Sequence, residues 1–465
     1  MKRKIKLCYI GGGSKMWARI FMSDLTLSPH LEGTIALYDI DTKASYINKK
    51  IGEYMNEAKN AISKWNYEVH ENIDTALEQC DIIVISILPG TLKEMYSDVH
   101  TPEAYNIYQS VGDTVGPGGV IRSMRTIPYY EYFARKIEKI CPNAWVLNLT
   151  NPMSICVKTL YDVFPNIKAI GCCHEVLHTE DLICDIVKEN LHLSLNRKDI
   201  RFEVSGINHF TWFSEVQYKD MDLLKELDPF FKKHKEGYYE HGDFDLYKTN
   251  PFAYQNKVKY DLYKRYGALA AAGDRHLVEF LNNSWYLDSK ELIDSWGFAL
   301  TSVDFRIKQQ EERIQESKLM AEGLKEVEVK KSSEEVVDFM EAIFGFKDII
   351  SNVNLPNRGQ IKELPLNSIV ETNAYFSHDA IRAINANPLP KGALDLVSRN
   401  LNNIELCYEG CKKRDLDIIF ASFINQPLCS KLTLNEGKEL FNKMIYNTKD
   451  YLHDYKGVDK IRIKE

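Results

Sequence analysis

Three consecutive side chains that can bind a metal or move a proton stand at Cys173-His174-Glu175. The short, largely apolar segment 167–170 precedes them between Pro165 and Gly171, which predicts a buried strand that ends at this point. In open α/β sheets, ligands bind at the carboxyl edge of the strands. A thiolate ligates divalent transition metals when an imidazole or a carboxylate reaches the same point, so the triplet suggests a metal site. The alternative is a buried cysteine that packs as a small apolar side chain.

Further candidate ligands follow later in the chain. Segment 200–205 predicts a strand, and Asn208 and His209 come soon after it, where His209 can reach across a cleft to Cys173. A hydrogen-bonded core histidine is the alternative for His209. The run Asp274-Arg275-His276 places an acid, a guanidinium and an imidazole in one turn, for which the alternative is a solvated surface turn.

The N-terminal segment has the pattern of a nucleotide-binding unit. An apolar strand at 5–10 is followed by Gly11-Gly12-Gly13-Ser14 and by helical spacing over 17–27. Such a turn lets the backbone and the helix N-terminus approach a pyrophosphate, although Met16 stands where the usual pattern has its third glycine. The second predicted strand ends at Asp39-Ile40-Asp41, where a carboxylate can accept from the ribose hydroxyl, which favours NAD. A plain glycine turn is the alternative.

Strands and helices alternate through the first part of the chain, which predicts a doubly wound parallel sheet. The glycine-rich segment 110–119 is predicted to be an irregular loop over the cofactor's end of this sheet, with Asp113, Arg122 and Arg125 facing a ligand. A later strand ends near Asn151, whose amide can hold a nicotinamide or a sugar hydroxyl. Asn-Pro is also an ordinary turn signal, so this assignment has a structural alternative.

The length of 465 residues predicts two domains. We expect a Rossmann-like NAD-binding domain over 1–199 and an α+β lobe over 200–465 for substrate, metal and oligomerisation. Within them, a helix is predicted over 43–64 and a strand over 81–88. The Lys- and Glu-rich stretch 305–340 is predicted to be a solvated helical face or hairpin with no part in the chemistry.

Composition excludes several classes of partner. A formal net charge of -7 argues against nucleic acid or an anionic membrane as the main partner, because both need a basic field. The longest apolar run, 82–88, is far shorter than a membrane span, and no signal peptide pattern follows the basic residues 2–4. Ten cysteines without paired spacing predict reduced thiols rather than a disulfide framework. We therefore expect a cytoplasmic protein.

In their order along the chain, these motifs resemble glycoside hydrolase family 4 over nearly the whole length. The family's nucleotide, substrate and metal motifs match Gly11-Gly12-Gly13-Ser14, the 112–119 loop, Asn151-Pro152-Met153, Cys173-His174-Glu175-Val176 and Gly206-Ile207-Asn208-His209. The segments 108–119 and 273–277 look most like those of bacterial α-galacturonidases. Since the family's phospho-glycosidases carry another residue after the cysteine, His174 counts against a 6-phosphosugar. The resemblance implies a glycosidase acting on α-linked galacturonides.

The resemblance also implies an NAD-dependent hydrolysis without net oxidation. Hydride leaves C3 of the sugar, a base removes the C2 proton, and the glycosidic oxygen leaves by elimination. Water addition at C1 and return of the hydride complete the cycle. Cys173 and His209 are then the ligands of a divalent metal, for which Mn2+ fits one thiolate and an oxygen-rich substrate better than Zn2+ does.

The remaining roles are assigned on the same resemblance. Asp274 is expected to be the C2 base, because this turn lacks the family's usual tyrosine. The general acid is expected to be His174 or Glu175, and Asp113 is expected to orient hydroxyls or a water. A uronate calls for a guanidinium that makes two parallel bonds, for which Arg275 is best placed. Other substrate contacts are expected from Asn151, Asn208, His276, Arg122 and Arg125, and nucleotide contacts from Gly11, Gly12, Gly13, Ser14, Asp39, Asp41 and Asn151.

Other activities remain open at this point. The same family includes α-glucuronidases, α-galactosidases and α-glucosidases, and the shared fold also suits an NAD-dependent hydroxy-acid dehydrogenase or a noncatalytic NAD sensor. The dehydrogenase would leave Cys173 and His209 without a role. The family's dimers and tetramers imply a homo-oligomer, and the expected partner is a small glycoside.

Overall fold

The computed structural model describes residues 2–239 and 245–462. Strands and helices alternate along the first third of the chain and are grouped more irregularly afterwards. The strands are β1 (Arg3–Ile10), β2 (Leu31–Tyr38), β3 (Trp65–His70), β4 (Ile82–Ile85), β5 (Trp145–Asn148), β6 (Lys168–Gly171), β7 (Arg201–Ile207), β8 (Phe210–Tyr218), β9 (Met221–Asp222), β10 (Leu269–Ala270), β11 (Ile349–Pro356), β12 (Ile369–Ser377) and β13 (Ala380–Ala383).

The helices range from single turns to the 25 residues of the fifth. They are α1 (Trp17–Thr26), α2 (Thr42–Met55), α3 (Ile73–Leu77), α4 (Leu92–His100), α5 (Gly116–Ile140), α6 (Met153–Val163), α7 (Glu175–Leu191), α8 (Leu227–Lys233), α9 (Lys257–Tyr266), α10 (Asp274–Leu277), α11 (Asn283–Tyr286), α12 (Lys290–Ser295), α13 (Val303–Ala321), α14 (Val336–Ile343), α15 (Lys391–Lys413), α16 (Leu416–Ile424) and α17 (Leu434–Thr448).

Six parallel strands form one half of the sheet in the order β3-β2-β1-β4-β5-β6. Alternate residues of β1 serve two different cores. Leu7 and Tyr9 pack in a cluster with residues of α1, α2 and α14, whereas Cys8 and Ile10 pack with residues of α3, α5 and α6. Both faces of the parallel strands are therefore covered by helices, which confirms the predicted doubly wound architecture.

The sheet does not end at β6. Antiparallel strands continue it in the order β11-β12-β7-β8-β10, with β11 beside β6. Two short strands attach at the side, β13 to β12 and β9 to β8. The carboxyl ends of the parallel strands and the β7–β8 hairpin thus belong to one continuous surface.

Two predicted elements are shorter than expected, because hydrogen bonds to side chains form just after the point where each element ends. The helix predicted over 43–64 ends at Met55, where the Asn56 amide donates to the carbonyl of Trp65 at 2.8 Å and accepts from its N–H at 2.9 Å, which joins the helix end to the start of β3. The strand predicted over 81–88 ends at Ile85, after which the N–H of Ile87 donates to Thr150 Oγ1 at 2.9 Å.

Two other predictions are wrong in part. Residues 110–119 are not wholly irregular, because α5 begins at Gly116 and includes three further residues of the predicted loop. The stretch 305–340 is not only a solvated face: Ser317 is buried, and Val336, Phe339 and Met340 belong to the core beneath β1. The buried residues belong mainly to α14, an apolar helix distinct from the Lys- and Glu-rich α13 before it, so the average composition of the stretch hides them.

All ten cysteines lie among the described residues and are free thiols. Across residues 2–239 and 245–462, no helix is both long enough and apolar enough to span a bilayer.

Candidate active site

Two strand ends deliver the predicted metal ligands. β6 stops at Gly171, and α7 starts at Glu175, so Cys173 and His174 occupy the short connection between a strand and a helix. A Cβ on Gly171 would lie 2.8 Å from Met153 and 2.9 Å from Asn354, which explains why the strand end carries no side chain there. His209 lies in the two-residue turn between β7 and β8, with φ of 61°.

Glu175 is a buried carboxylate in contact with several imidazoles. Its Oε2 accepts from the N–H of Gly273 at 2.9 Å, and its Oε1 lies 3.4 Å from His276 Nε2 and 3.6 Å from His174 Nε2. Burial opposes ionisation of Glu175, but the imidazoles of His276, His174 and His178 outweigh it and hold its pKa well below the ordinary value. Of the two residues considered as general acid, this charge state favours His174, because an ionised Glu175 has no proton to donate.

His209 is held by a short chain of hydrogen bonds. The hydroxyl of Thr114 donates to Asp113 Oδ1 at 2.8 Å and lies 3.1 Å from His209 Nδ1. Since the hydroxyl proton goes to Asp113, Thr114 accepts from Nδ1–H, and Nε2 of His209 keeps its lone pair. Burial and the nearby His276 lower the pKa of His209 to about 3, which keeps the ring neutral. The two rings have centroids 4.0 Å apart.

Cys173 lies beside polar groups of the antiparallel strands. Burial, followed by the Glu371 and Glu175 carboxylates, raises the pKa of its thiol well above the ordinary value. Asn208 is close to both Cys173 and Glu371, yet neither Oδ1 nor Nδ2 of its buried amide has a partner in hydrogen-bond geometry. Asn352 donates from Nδ2 to the carbonyl of Cys173 at 3.4 Å and to Glu371 Oε1 at 2.6 Å.

Two guanidinium groups act on the Asp113 carboxylate. Burial opposes its ionisation, but the charges of Arg122, His209, His276 and Arg306 lower its pKa to about 2. Arg306 is on α13, the helix for which sequence analysis predicted no chemistry, and its Nε is buried with no hydrogen-bond partner among the described residues.

Arg275 is buried in the same region. Its Nη1 donates to Thr301 Oγ1 at 2.7 Å and its Cζ lies 5.1 Å from the Phe252 ring centroid, while its Nε has no hydrogen-bond partner within residues 2–239 and 245–462. The charge of Arg275 also acts on Arg306, so the two cationic groups are near each other. This arrangement suits an anionic ligand.

The other two arginines differ in their availability. Arg122 donates from Nε to the carbonyl of Asn151 at 3.1 Å, which links the two predicted substrate residues. Arg125, which was expected to face a ligand, instead donates from Nη1 to Asp98 Oδ1 at 3.1 Å and from Nε to the carbonyl of Pro89 at 3.4 Å. Because Asp98 and Arg125 form a buried ion pair, the prediction for Arg125 is wrong.

Asp274 has a structural partner that sequence did not suggest. Its Oδ2 accepts from the N–H of Val258 at 3.2 Å and its Oδ1 from the N–H of Lys259 at 3.0 Å. Both N–H groups lie in the first turn of α9, where a helix offers no internal acceptor, so the carboxylate caps that helix. The role of Asp274 as C2 base stays a prediction that this placement disfavours.

The glycine turn after β1 packs tightly against its neighbours. Gly11 has φ of +101°, and a Cβ there would lie 2.0 Å from the carbonyl oxygen of Ser86. The N–H groups of Gly11 and Gly12 donate to the carbonyl of Tyr38, and that of Gly13 donates to Asp39 Oδ2 at 2.8 Å. Contacts within the protein therefore engage all three amides.

The acidic residues after β2 stabilise the same region. Asp39 also accepts from the N–H of Asp41 at 2.8 Å, while the Asp41 carboxylate accepts from the N–H of Ala44 and caps α2. Asp41 lies 3.9 Å from Lys15 Nζ, beside Ser14 and the start of α1. Asp41 is thus a capping residue, and Asp39 is the carboxylate that joins the glycine turn to β2.

Four site residues were missed by sequence analysis: Thr114, Arg306, Glu334 and Glu371. Thr114 stood next to Asp113 and had a local signal. Glu334 Oε1 lies 3.4 Å from His174 Nδ1, a contact between positions 160 residues apart that no spacing rule indicates.

Comparison with known proteins settles the family. The model described as "Family 4 glycosyl hydrolase" matches residues 6–189, and that of its C-terminal domain matches residues 204–429. The chain belongs to glycosyl hydrolase family 4. This family 4 chain is a glycosidase, which confirms the resemblance found in the sequence.

Several relatives are similar over almost their whole length. The chain is 49% identical over 450 residues to an alpha-galacturonidase of Thermoanaerobacter italicus, covering 96% of this chain and 97% of that protein. It is 42% identical to an alpha-galacturonidase of Bacillus subtilis, covering 95% and 97% respectively. A more distant relative, an alpha-galactosidase of Bacillus subtilis, is 26% identical over 97% of this chain and 100% of that protein.

Solved structures agree with the fold of this family 4 chain. The crystal structure of LplD from Bacillus subtilis has a TM-score of 0.90 at 42% identity and covers 95% of this chain and 99% of that chain. A 6-phospho-alpha-glucosidase from gut microorganisms, solved with NAD and Mn2+, has a TM-score of 0.79 at 20% identity, with 97% and 99% coverage.

Proposed function

We propose that this family 4 enzyme hydrolyses α-linked galacturonides, with NAD and a divalent metal, most simply Mn2+, as its cofactors. The observation that carries the proposal is a group of three guanidiniums, in which Arg122 and Arg306 act on the Asp113 carboxylate and Arg275 acts on Arg306. Relatives named alpha-galacturonidase, 42% to 49% identical over nearly the whole chain, support the same substrate class.

The arginine group suits a substrate carboxylate. Arg275 and Arg306 each have a buried Nε without a hydrogen-bond partner among the described residues. A buried donor without an acceptor destabilises the protein, and a bound carboxylate would remove this cost. Arg122 and Arg306 act on the ionised carboxylate of Asp113, and Arg275 acts on Arg306, so this cluster of positive charge favours a further anion. A planar guanidinium binds a carboxylate through two parallel hydrogen bonds, and this geometry distinguishes a uronide from a neutral sugar.

The donors around Cys173 fit a divalent metal. His209 presents a neutral ring whose Nε2 is free to bind, since Nδ1 is held by Thr114. The buried amide of Asn208, without partners for Oδ1 or Nδ2, lies beside the Cys173 thiol. We assign Cys173 and His209 as ligands, and Asn208 as a group that contacts the substrate. When bound, the metal supplies a Lewis acid for the sugar oxygens next to the reacting carbons.

The turn after β1 fits a dinucleotide. It lies at the carboxyl edge of the parallel strands, next to the N-terminus of α1, and Asp39 ends the neighbouring strand. At the end of β5, Asn151 has a buried Oδ1 without a partner, which suits an amide or hydroxyl donor. We assign NAD to this edge, where it supplies a hydride acceptor for C3 of the sugar and returns the hydride later.

Proton transfer is best assigned to the imidazoles beside Glu175. Both oxygens of Asp274 accept from backbone donors of α9, whereas His276 lies 3.4 Å from the Glu175 carboxylate. A carboxylate that stabilises an imidazolium makes the ring a stronger base. We therefore assign the C2 proton to His276 in place of Asp274, and the proton of the leaving oxygen to His174.

The cellular location, the oligomeric state and the domain boundaries belong to the same proposal. A thiol ligand such as Cys173 is preserved in a reducing compartment, which supports a cytoplasmic location. The two family models, which match residues 6–189 and 204–429, support two domains over 1–199 and 200–465, and we also propose a homodimer or homotetramer that acts on a small glycoside.

Release of 4-nitrophenol from its α-D-galacturonide tests the proposal, with NAD+, Mn2+ and a thiol reductant present. Matched α-glucuronide, α-galactoside and 6-phospho-α-glucoside substrates are the comparisons, and each component is omitted in turn. Turnover confined to the galacturonide and lost without NAD+ or Mn2+ is expected. Accumulation of NADH on a hydroxy acid, with no glycoside cleaved, would instead identify a dehydrogenase.

A further inference from the structure

The N-cap and first turn of α7 carry a metal-binding sequence of which the proposed reaction uses only His174 and Glu175. Residues 174–178 read His-Glu-Val-Leu-His. On a helix, positions four apart lie on the same face one turn above each other, so this spacing brings two imidazoles together with a carboxylate beside them. His178 has no assignment in the galacturonide chemistry.

The three side chains converge on one point. One ligand atom from each of His174, Glu175 and His178 lies within 4.8 Å of the others. His174 Nε2 is already 3.6 Å from Glu175 Oε1, and the two imidazole centroids are 5.0 Å apart. Ligands about 2.0–2.2 Å from a tetrahedral zinc ion are about 3.4 Å from each other, so small side-chain rotations suffice to close the site.

A second carboxylate completes the arrangement from the other side of the ring. Glu334 Oε1 lies 3.4 Å from His174 Nδ1, while His174 Nε2 faces Glu175. Metal-ligating histidines usually donate their second ring nitrogen to a carboxylate, which fixes the ring and strengthens the ligand. The two carboxylates also balance the charge of a divalent cation and offset the positive end of the α7 dipole.

We infer that the His174-Glu175-His178 turn is a second divalent-metal site, of zinc or cobalt class, distinct from the ion assigned to Cys173 and His209. The two sites share no ligand. Imidazole nitrogens and a carboxylate suit Zn2+ and Co2+, whereas the first site has a thiolate. An ion here would take His174 and Glu175 from their proposed work in proton transfer, so excess zinc is expected to inhibit the enzyme.

Cobalt binding to the full-length, metal-free protein tests this inference without reference to turnover. A thiolate-to-cobalt charge-transfer band reports ligation by Cys173, and equilibrium dialysis with elemental analysis counts the ions. Wild-type protein is expected to bind two equivalents with the band. His178→Ala and the more conservative His178→Gln are expected to bind one equivalent and keep the band, while Cys173→Ser binds one without it. His453→Ala, at an exposed position, is the matched control.

The outcomes separate this inference from the proposed function. A single equivalent in wild-type protein, with the band and with unchanged stoichiometry in both folded His178 variants, would overturn the second site. One equivalent without the band, lost in the His178 variants, would support the α7 site and overturn the Cys173 assignment instead. Circular dichroism identifies any variant that fails to fold, and the other His178 substitution then decides.

Discussion

Thr114 Oγ1 lies 3.1 Å from His209 Nδ1 and donates its own proton to Asp113, so one hydroxyl sets the tautomer of a proposed metal ligand. Thr114→Val keeps the shape of the side chain and removes this acceptor. We expect the affinity for Mn2+ to fall by about 10- to 100-fold, as for other lost partners of a ligating histidine. Calorimetric titration measures it, and Thr114→Ser, which restores the hydroxyl, should bind as wild type does. Equal affinities in all three proteins would contradict the role of Thr114.

The Glu371 carboxylate on β12 connects β11 and β8 near the site by accepting a hydrogen bond from each. Its Oε1 accepts from Asn352 at 2.6 Å and its Oε2 accepts from Thr211 at 2.9 Å, and all three side chains are buried. Glu371→Ala removes this shared acceptor, so that Thr211 keeps only the carbonyl of Ile207 at 3.0 Å and Asn352 only the carbonyl of Cys173 at 3.4 Å. The loss should lower the free energy of unfolding by about 1–3 kcal/mol. Glu371→Gln keeps an acceptor and should cost less. Urea denaturation distinguishes the two, and equal losses would argue against these hydrogen bonds as the cause.

Glu279 gives stability a pH dependence. Burial raises its pKa from 4.5 to about 7, although the N–H groups of Val111 and Gly112 donate to its Oε1 at 2.7 Å and 2.8 Å. Between these two pH values the folded state holds a proton that the unfolded state has released, so stability falls as pH rises. The free energy of unfolding of the wild type should fall by on the order of 3 kcal/mol between pH 4.5 and 7, relative to that of Glu279→Gln, which retains the acceptor. Urea titrations at several pH values measure the difference, and parallel curves would contradict it.

Arg306 is expected to select for the substrate carboxylate. Arg306→Gln should lower kcat/KM for the galacturonide by about 10- to 100-fold, because a charge-assisted hydrogen bond contributes about 1.5–3 kcal/mol. The effect on a neutral α-galactoside should be small, since that sugar has no anionic group. Lys308→Gln, an exposed position on the same helix, is the control for a general loss of positive charge. Equal losses on both substrates would remove Arg306 from substrate selection.

Substitutions of Asp274 and His276 should have opposite effects on turnover and stability if His276 is the C2 base. If Asp274 caps α9, Asp274→Asn should lower the free energy of unfolding by about 1 kcal/mol and keep most of the turnover. His276→Asn should lower kcat by about 100-fold or more, as when a general base is removed. Exchange of the C2 hydrogen with deuterated water provides a readout specific to that step. Loss of exchange in Asp274→Asn alone would restore Asp274 as the base.

Local patterns in the sequence were sufficient for the framework of this protein. Alternating apolar strands and helices predicted the doubly wound sheet, and the residues after β6 and β7 identified Cys173 and His209 as candidates. These features depend on neighbours within a few residues. Apolar periodicity, glycine turns and strand ends can therefore be predicted from the sequence alone.

Only the tertiary structure decided which polar groups meet. Asp274 accepts hydrogen bonds from N–H groups of α9 that lie 15 and 16 residues earlier in the chain, and Arg125 donates to Asp98. Thr114 contacts His209, which is 95 positions away in the sequence. Residue type alone shows that a carboxylate or guanidinium needs a partner, but not which partner it finds. That choice depends on the crossing of distant strands and helices, because a buried polar group bonds with whatever donor or acceptor the packed backbone brings within about 3 Å of it.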